Sequence, residues 1–268
     1  MASTLAKIDP ARFGDESRPF TRNRGANETM AKTIPSPDGS FDILIDLSRF
    51  CNFHDDDDDE VASHTSILEH LAAHEPQHVL MHLSKTDSMY LSIAGESNTV
   101  NDLVPVLAEA VDEFRCELAS NRIVVSGLPQ DQFITDDLDH FREALNASVA
   151  LSEHDRWAAC VKTMNAAKEM LKALSYLAAL RLADNASNAR PITASTDWDR
   201  YLGSFWPDLF DSLATIPAAD EEADGDSLAS AIYLGAQRVS TWLDEIGVTY
   251  RTYDNFDRAC LWQTDNPF

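Results

Sequence analysis

Two aspartates, Asp46 and Asp87, combine side-chain type and placement best suited to chemistry in this sequence. Asp46 lies near the exit of an alternating apolar segment, FDILIDL (41–47). Asp87 lies in a short polar segment, KTDS (85–88). If they converge, the paired carboxylates make a hard oxygen site for Mg²⁺ or Mn²⁺ carrying a triphosphate. Such a site lowers the pKa of an attacking hydroxyl and stabilises leaving phosphate oxygens. Taken singly, Asp46 reads as a strand cap and Asp87 as an ordinary turn residue. Lys85 and Arg122 are the nearby cations that can reach phosphate, or they are plain surface residues.

Six of the eight histidines fall between His54 and His82. His70 and His74 sit one helical turn apart, an arrangement that chelates metals well. Pro76, however, is expected to break the helix before His78 and His82, and no HExxH frame accompanies them. Metal ligation by these histidines is therefore not expected, and His78 and His82 are assigned to a nucleotide or dimer face. The acidic run DDDDDE (55–60) lacks the spacing and glycine of a calcium loop and reads as solvated. Asp197 and Asp199 read as a helix N-cap. No phosphate-binding glycine loop or nucleophile triad is present.

The elements that must position these residues follow from periodicity. Residues 1–40 are polar, aperiodic and contain Pro19, Pro35 and Pro37; they read as a flexible or partner-bound arm. Alternation predicts strands over 41–47, 78–84, 89–94 and 122–126, with helices over 62–75 and 100–119 between them. That order is β-α-β-β-α-β, the split βαβ or ferredoxin-like plan. The sequence thus predicts an α+β fold: a sheet domain over 41–129, then a helical region over 130–268. Within that region, 153–183 carries a seam at Trp157, Cys160, Met164, Ala167, Leu171, Leu174 and Ala178. Further helices are predicted over 196–214 and 226–246, separated by the acidic linker AADEEADGD.

Composition narrows the function classes. The net charge is −24, and residues 1–40 hold six bases and five acids, so the acidity lies on the remainder. Such a body repels bulk nucleic acid. Cys51, Cys116, Cys160 and Cys260 form no CxxC pair, which suits free thiols in a reducing cytoplasm. The opening residues, MASTLAKIDPARFG, show no apolar stretch of a secretory signal, and no apolar run approaches membrane-spanning length.

Three segments resemble class III nucleotidyl cyclases, and in particular the Pycsar-type pyrimidine cyclases of bacterial anti-phage defence. ILIDLSRF (43–50) is similar to their first-strand metal motif, KTDSMYLSI (85–93) to their hairpin, and RIVVSGLP (122–129) to a later strand ending in glycine. YRTYDNF (250–256) resembles their C-terminal aromatic and asparagine segment. The resemblance implies a homodimer forming a cyclic nucleotide from a nucleoside triphosphate, with Asp46 and Asp87 holding the metal. It places Arg122 and Lys85 at the phosphates, and His82 and Ser126 at the nucleotide. Arg49 and Ser126 depart from the pattern: small residues or Gly, and Arg, are usual there. An inactive cyclase-like fold or a non-enzymatic assembly protein, for example a virion subunit, are the alternatives. An acidic mimic of nucleic acid is a third, resting on charge alone.

Overall fold

The computed structural model describes residues 23–24, 27–28, 31–36, 38–45, 58–124, 130–188, 191, 196–252 and 258–262. Among them the chain is mostly helical. Its elements are β1 (Asn23–Arg24), β2 (Asn27–Glu28), β3 (Ala31–Pro35), β4 (Phe41–Ile45), α1 (Asp58–Ser84), α2 (Asn98–Asn121), α3 (Gln130–Ser152), α4 (Arg156–Ala183), α5 (Thr196–Tyr201), α6 (Phe205–Leu213), α7 (Gly225–Glu245), β5 (Val248–Thr252) and β6 (Arg258–Trp262). The strands form three separate antiparallel two-stranded sheets, β1–β2, β3–β4 and β5–β6. The ferredoxin-like sheet expected over 41–129 is not formed.

The correction has local causes. Residues 78–84, expected as a strand, are the last two turns of α1. Leu80, Met81 and Leu83 there are good helix formers, and only Val79 is β-branched. Their seven-residue alternation also fits a four-residue repeat, since His78 and His82 share a face in either geometry. Pro76 lies inside α1 instead of ending it. Proline removes one backbone donor and weakens the turn before it; here the Gln77 side-chain Nε2 donates to the Ala73 carbonyl at 3.3 Å.

The expected strand over 89–94 is replaced by a 3-10 turn, Ser88–Tyr90, followed by irregular chain. The one expected over 122–126 begins as a turn after α2, and residues 125–129 lie outside the described part. Residues 41–45 are a strand as expected, but they pair with 31–35 from the segment read as an arm. Thr33 on that hairpin donates to the Glu75 carboxylate at 2.7 Å, fastening it to α1.

The core forms where α2 packs against α4 and α7, and where α4 packs against α3. Leu103, Leu107, Val111, Phe114 and Leu118 form the inward stripe of α2, close to the face expected from sequence. α4 differs from the expected narrow seam. Its alanines, Met170, Leu171, Leu174 and Leu177 are buried around most of the circumference, so it is the central helix. Trp157, placed in the seam from sequence, is 55 % exposed. Asp155 separates α3 from α4 by accepting the Ala158 N–H at 2.9 Å, an N-cap. The predicted helix over 196–214 breaks at Gly203, where a Cβ would meet the Asp199 carbonyl oxygen at 2.8 Å. No helix among the described residues is long and apolar enough to cross a membrane.

An aromatic layer closes one end. Trp242 on α7 stacks between Phe141 and Phe205, with centroids 5.5 and 4.6 Å away, and donates Nε1–H to the Tyr201 carbonyl at 2.6 Å. Trp242→Ala is expected to lower unfolding free energy by about 3–5 kcal/mol, the usual cost of deleting a buried large aromatic. Urea unfolding followed by circular dichroism checks this; a loss under about 1 kcal/mol, below that range, would contradict the packing described.

Candidate metal centre

The residues singled out from sequence do not assemble. Asp46 and Ser126 lie outside the described residues. Asp87 caps the 3-10 turn, accepting the Met89 N–H at 3.0 Å, which is the ordinary turn role weighed above. Lys85 ends α1 in the left-handed region, φ 57°. Arg122 pairs on the surface with Glu221 at 2.8 Å. The His82 ring packs edge-on against Phe41 and Tyr90 and is hydrogen-bonded by the Tyr90 hydroxyl. Among the described residues no side-chain hydrogen bond or ion pair joins Lys85, Asp87, His82 and Arg122 to one another; the Lys85 backbone N–H meets the His82 carbonyl at 3.2 Å in the turn that ends α1.

A different cluster is built in the core. Because α1 continues through Pro76, His70, His74 and His78 form one row at four-residue spacing. Glu113 and Glu117 form a matching pair on α2. His78 and His74 face Glu113 while His74 and His70 face Glu117, so the two helices run antiparallel. A third helix completes the cluster: Lys172 of α4 lies 2.6 Å from Glu113 Oε1, and the Tyr176 hydroxyl donates to Glu113 Oε2 at 2.8 Å.

Hydrogen-bond chemistry fixes the ring states. His70 Nδ1 is 2.9 Å from the Val124 carbonyl, which only accepts, so Nδ1 carries the hydrogen. Its Nε2 faces Glu117 Oε2 at 3.0 Å. A neutral ring would set a lone pair against a carboxylate oxygen. Only a proton or a cation between them makes that contact favourable. His74 faces two carboxylates: Nδ1 is 3.0 Å from Glu117 Oε2, and Nε2 is 3.4 Å from Glu113 Oε2. Asn121 Nδ2 donates to the other Glu117 oxygen at 3.1 Å.

Without a metal, protons serve. Burial opposes charge on His74, but hydrogen bonds and charge from Glu113 and Glu117 outweigh it and raise the ring to about 10. Burial likewise pushes Glu117 up, while hydrogen bonds from His70 and His74 bring it down to about 2. His70 is raised: burial works against it, and Glu117 prevails. His78 is lowered, because burial dominates; its 3.9 Å separation from Glu113 is too long for a hydrogen bond.

With a metal, His70 Nε2, His74 Nδ1 and Glu117 Oε2 are the donors, and these residues' ligand atoms lie within 4.8 Å of one another. The surrounding contacts then do what supports a metal-bound histidine elsewhere. Val124 O holds His70 Nδ1–H, Glu113 holds His74 Nε2–H, and Asn121 steadies Glu117. His74, His78 and Glu113 form a second trio sharing His74. The sequence signal was present: histidines at 70, 74 and 78 and glutamates at 113 and 117 all keep a four-residue interval. Reading Pro76 as a helix break split the histidine row into two pairs.

The shifted groups set a pH profile for the metal-free chain. Glu117, lowered from 4.5 to about 2, stabilises the fold above its unfolded pKa, and this is lost as pH falls through about 2. His74, raised from 6.5 to about 10, stabilises below its unfolded pKa, and this is lost as pH rises through about 10. Chelator-treated protein is therefore expected to be most stable at roughly pH 5–6 and to weaken on both sides. Urea midpoints across pH check it, with the alkaline decline shallower in His74→Gln. A wild-type profile flat from neutral pH to about 10 would contradict the assignment.

No family model, curated protein or solved structure matches the chain.

Proposed function

We propose that this chain is a metal-binding protein whose buried His70–His74–Glu117 centre holds one divalent first-row transition ion. The observation that carries this reading is the His70 ring, with one nitrogen committed to a backbone carbonyl and the other aimed at a carboxylate. Two imidazoles and a carboxylate suit Zn²⁺, Fe²⁺, Mn²⁺ or Co²⁺ better than Ca²⁺ or Mg²⁺, which take oxygen ligands.

Charge supports a single ion. Glu113 and Glu117 supply two negative charges and Lys172 one positive, so neutral imidazoles leave the cluster an excess of one negative charge. One divalent cation, or two imidazolium protons, turns that excess into a single positive charge, and a second divalent cation would leave three. Three protein ligands leave a further coordination position for water or another small ligand.

The nucleotidyl cyclase expectation depended on a sheet that the chain does not form, and Asp87 serves as a cap. Triphosphate turnover with Mg²⁺ or Mn²⁺ at Asp46 and Asp87 is therefore not part of this proposal. A second reading, in which the cluster is a purely structural polar ladder, is favoured by the hydrogen bonds that Lys172 and Tyr176 give to Glu113. Such ladders fix helix register without metal.

Titration of chelator-treated protein with Zn²⁺ and Co²⁺ separates the two. The metal reading expects one ion per chain, and stabilisation of about 2.7 kcal/mol at a free concentration a hundredfold above Kd. His70→Ala and Glu117→Gln should each abolish stoichiometric binding. Absence of binding to the wild type, or undiminished binding by Glu117→Gln, selects the structural ladder.

A further inference from the structure

We propose that the second trio, His74, His78 and Glu113, is a loading position through which the ion reaches the buried centre; this rests on the metal reading above. The two trios share His74 and use its opposite nitrogens, Nε2 toward Glu113 and Nδ1 toward Glu117. One imidazole that keeps a single N–H coordinates through only one nitrogen at a time. The trios are thus alternative positions for one ion.

Exposure gives the pair a direction. The side chains of His70 and His74 are 6 % and 8 % exposed, whereas His78 is 23 % exposed, so the row opens to solvent at His78. Among the described residues no hydrogen bond is made to the His78 ring, which stands 3.9 Å from Glu113 Oε2. Bonds of about 2.0–2.2 Å on each side let a metal ion bridge that gap. Glu113 keeps lone-pair capacity for this, since a carboxylate offers about four acceptor sites and Lys172 and Tyr176 take two. Transfer inward then exchanges His78 and Glu113 for His70 and Glu117, while His74 moves its hydrogen from Nδ1 to Nε2.

A loading residue changes rates and leaves the final state alone. Metal-free full-length chain is mixed with Co²⁺ in a stopped-flow instrument, and visible absorbance of the bound ion is followed. Release to excess chelator is measured separately. His78→Ala is expected to slow both uptake and release by the same factor, tenfold or more, with the final spectrum and one-ion stoichiometry unchanged. Circular dichroism confirms the helix content, and His78→Gln replaces the variant if His78→Ala does not fold. Uptake at the wild-type rate overturns the proposal. Loss of stoichiometric Co²⁺ also overturns it, since His78 would then belong to the resident site. A wild type that takes up no Co²⁺ instead removes the metal reading itself.

Discussion

Two glutamates on one helix, Glu117 buried and Glu113 with its side chain 14 % exposed, are the constraint around which this molecule is arranged. Glu113 and Glu117 lie on α2 where it crosses α1 and α4, and a carboxylate removed from water without compensation is unaffordable for a fold of ordinary stability. Everything that reaches them supplies positive charge or a hydrogen. Lys172 and Tyr176 serve Glu113 from α4, Asn121 serves Glu117 from its own helix, and the histidine row arrives from α1. The cluster therefore selects how three helices sit against one another. Sliding α1 by one residue would turn the row off α2 by about 100° and leave both carboxylates bare.

The same constraint gives the site its chemical ambiguity. Two protons on His70 and His74, or one divalent ion between them and Glu117, answer the charge equally well. What differs is what each leaves behind. Protons make the cluster a closed ladder, whereas a metal frees one N–H on each ring for an outer partner. Those partners are already in place, with the Val124 carbonyl at one ring and Glu113 at the other. The ladder uses the same Val124 contact, because a buried His70 Nδ1–H needs an acceptor in either state.

Much of the helical part was legible in the sequence, because long apolar periods at 3.6 residues leave few alternatives. The α2 stripe, the α7 helix and the length of α4 follow from that pattern. Short windows misled for a physical reason: over seven residues, HVLMHLS satisfies alternation and a four-residue repeat at once. Tertiary contact then decides, and burial of His74 against α2 favours the helix. Pro76 misled in the same direction. A proline costs a helix one donor, here the one that would serve the Ala72 carbonyl, a local loss that the long flanking turns absorb. Once α1 is continuous, the histidine and glutamate intervals fall into register. The short cyclase-like segments contain motif residues without the sheet that gives those motifs their meaning; Asp87 became a cap because its neighbours coil into a tight turn.

Protonation of the individual histidine nitrogens tests the central claim most directly. Long-range ¹⁵N–¹H spectra of the chain at neutral pH report whether each ring nitrogen carries a hydrogen. Without metal, His70 and His74 should both be doubly protonated. With one equivalent of Zn²⁺, His70 should keep hydrogen on Nδ1 alone and His74 on Nε2 alone, opposite tautomers set by Val124 and Glu113. Both rings remaining doubly protonated after Zn²⁺ addition would contradict the account and leave the cluster a structural ladder.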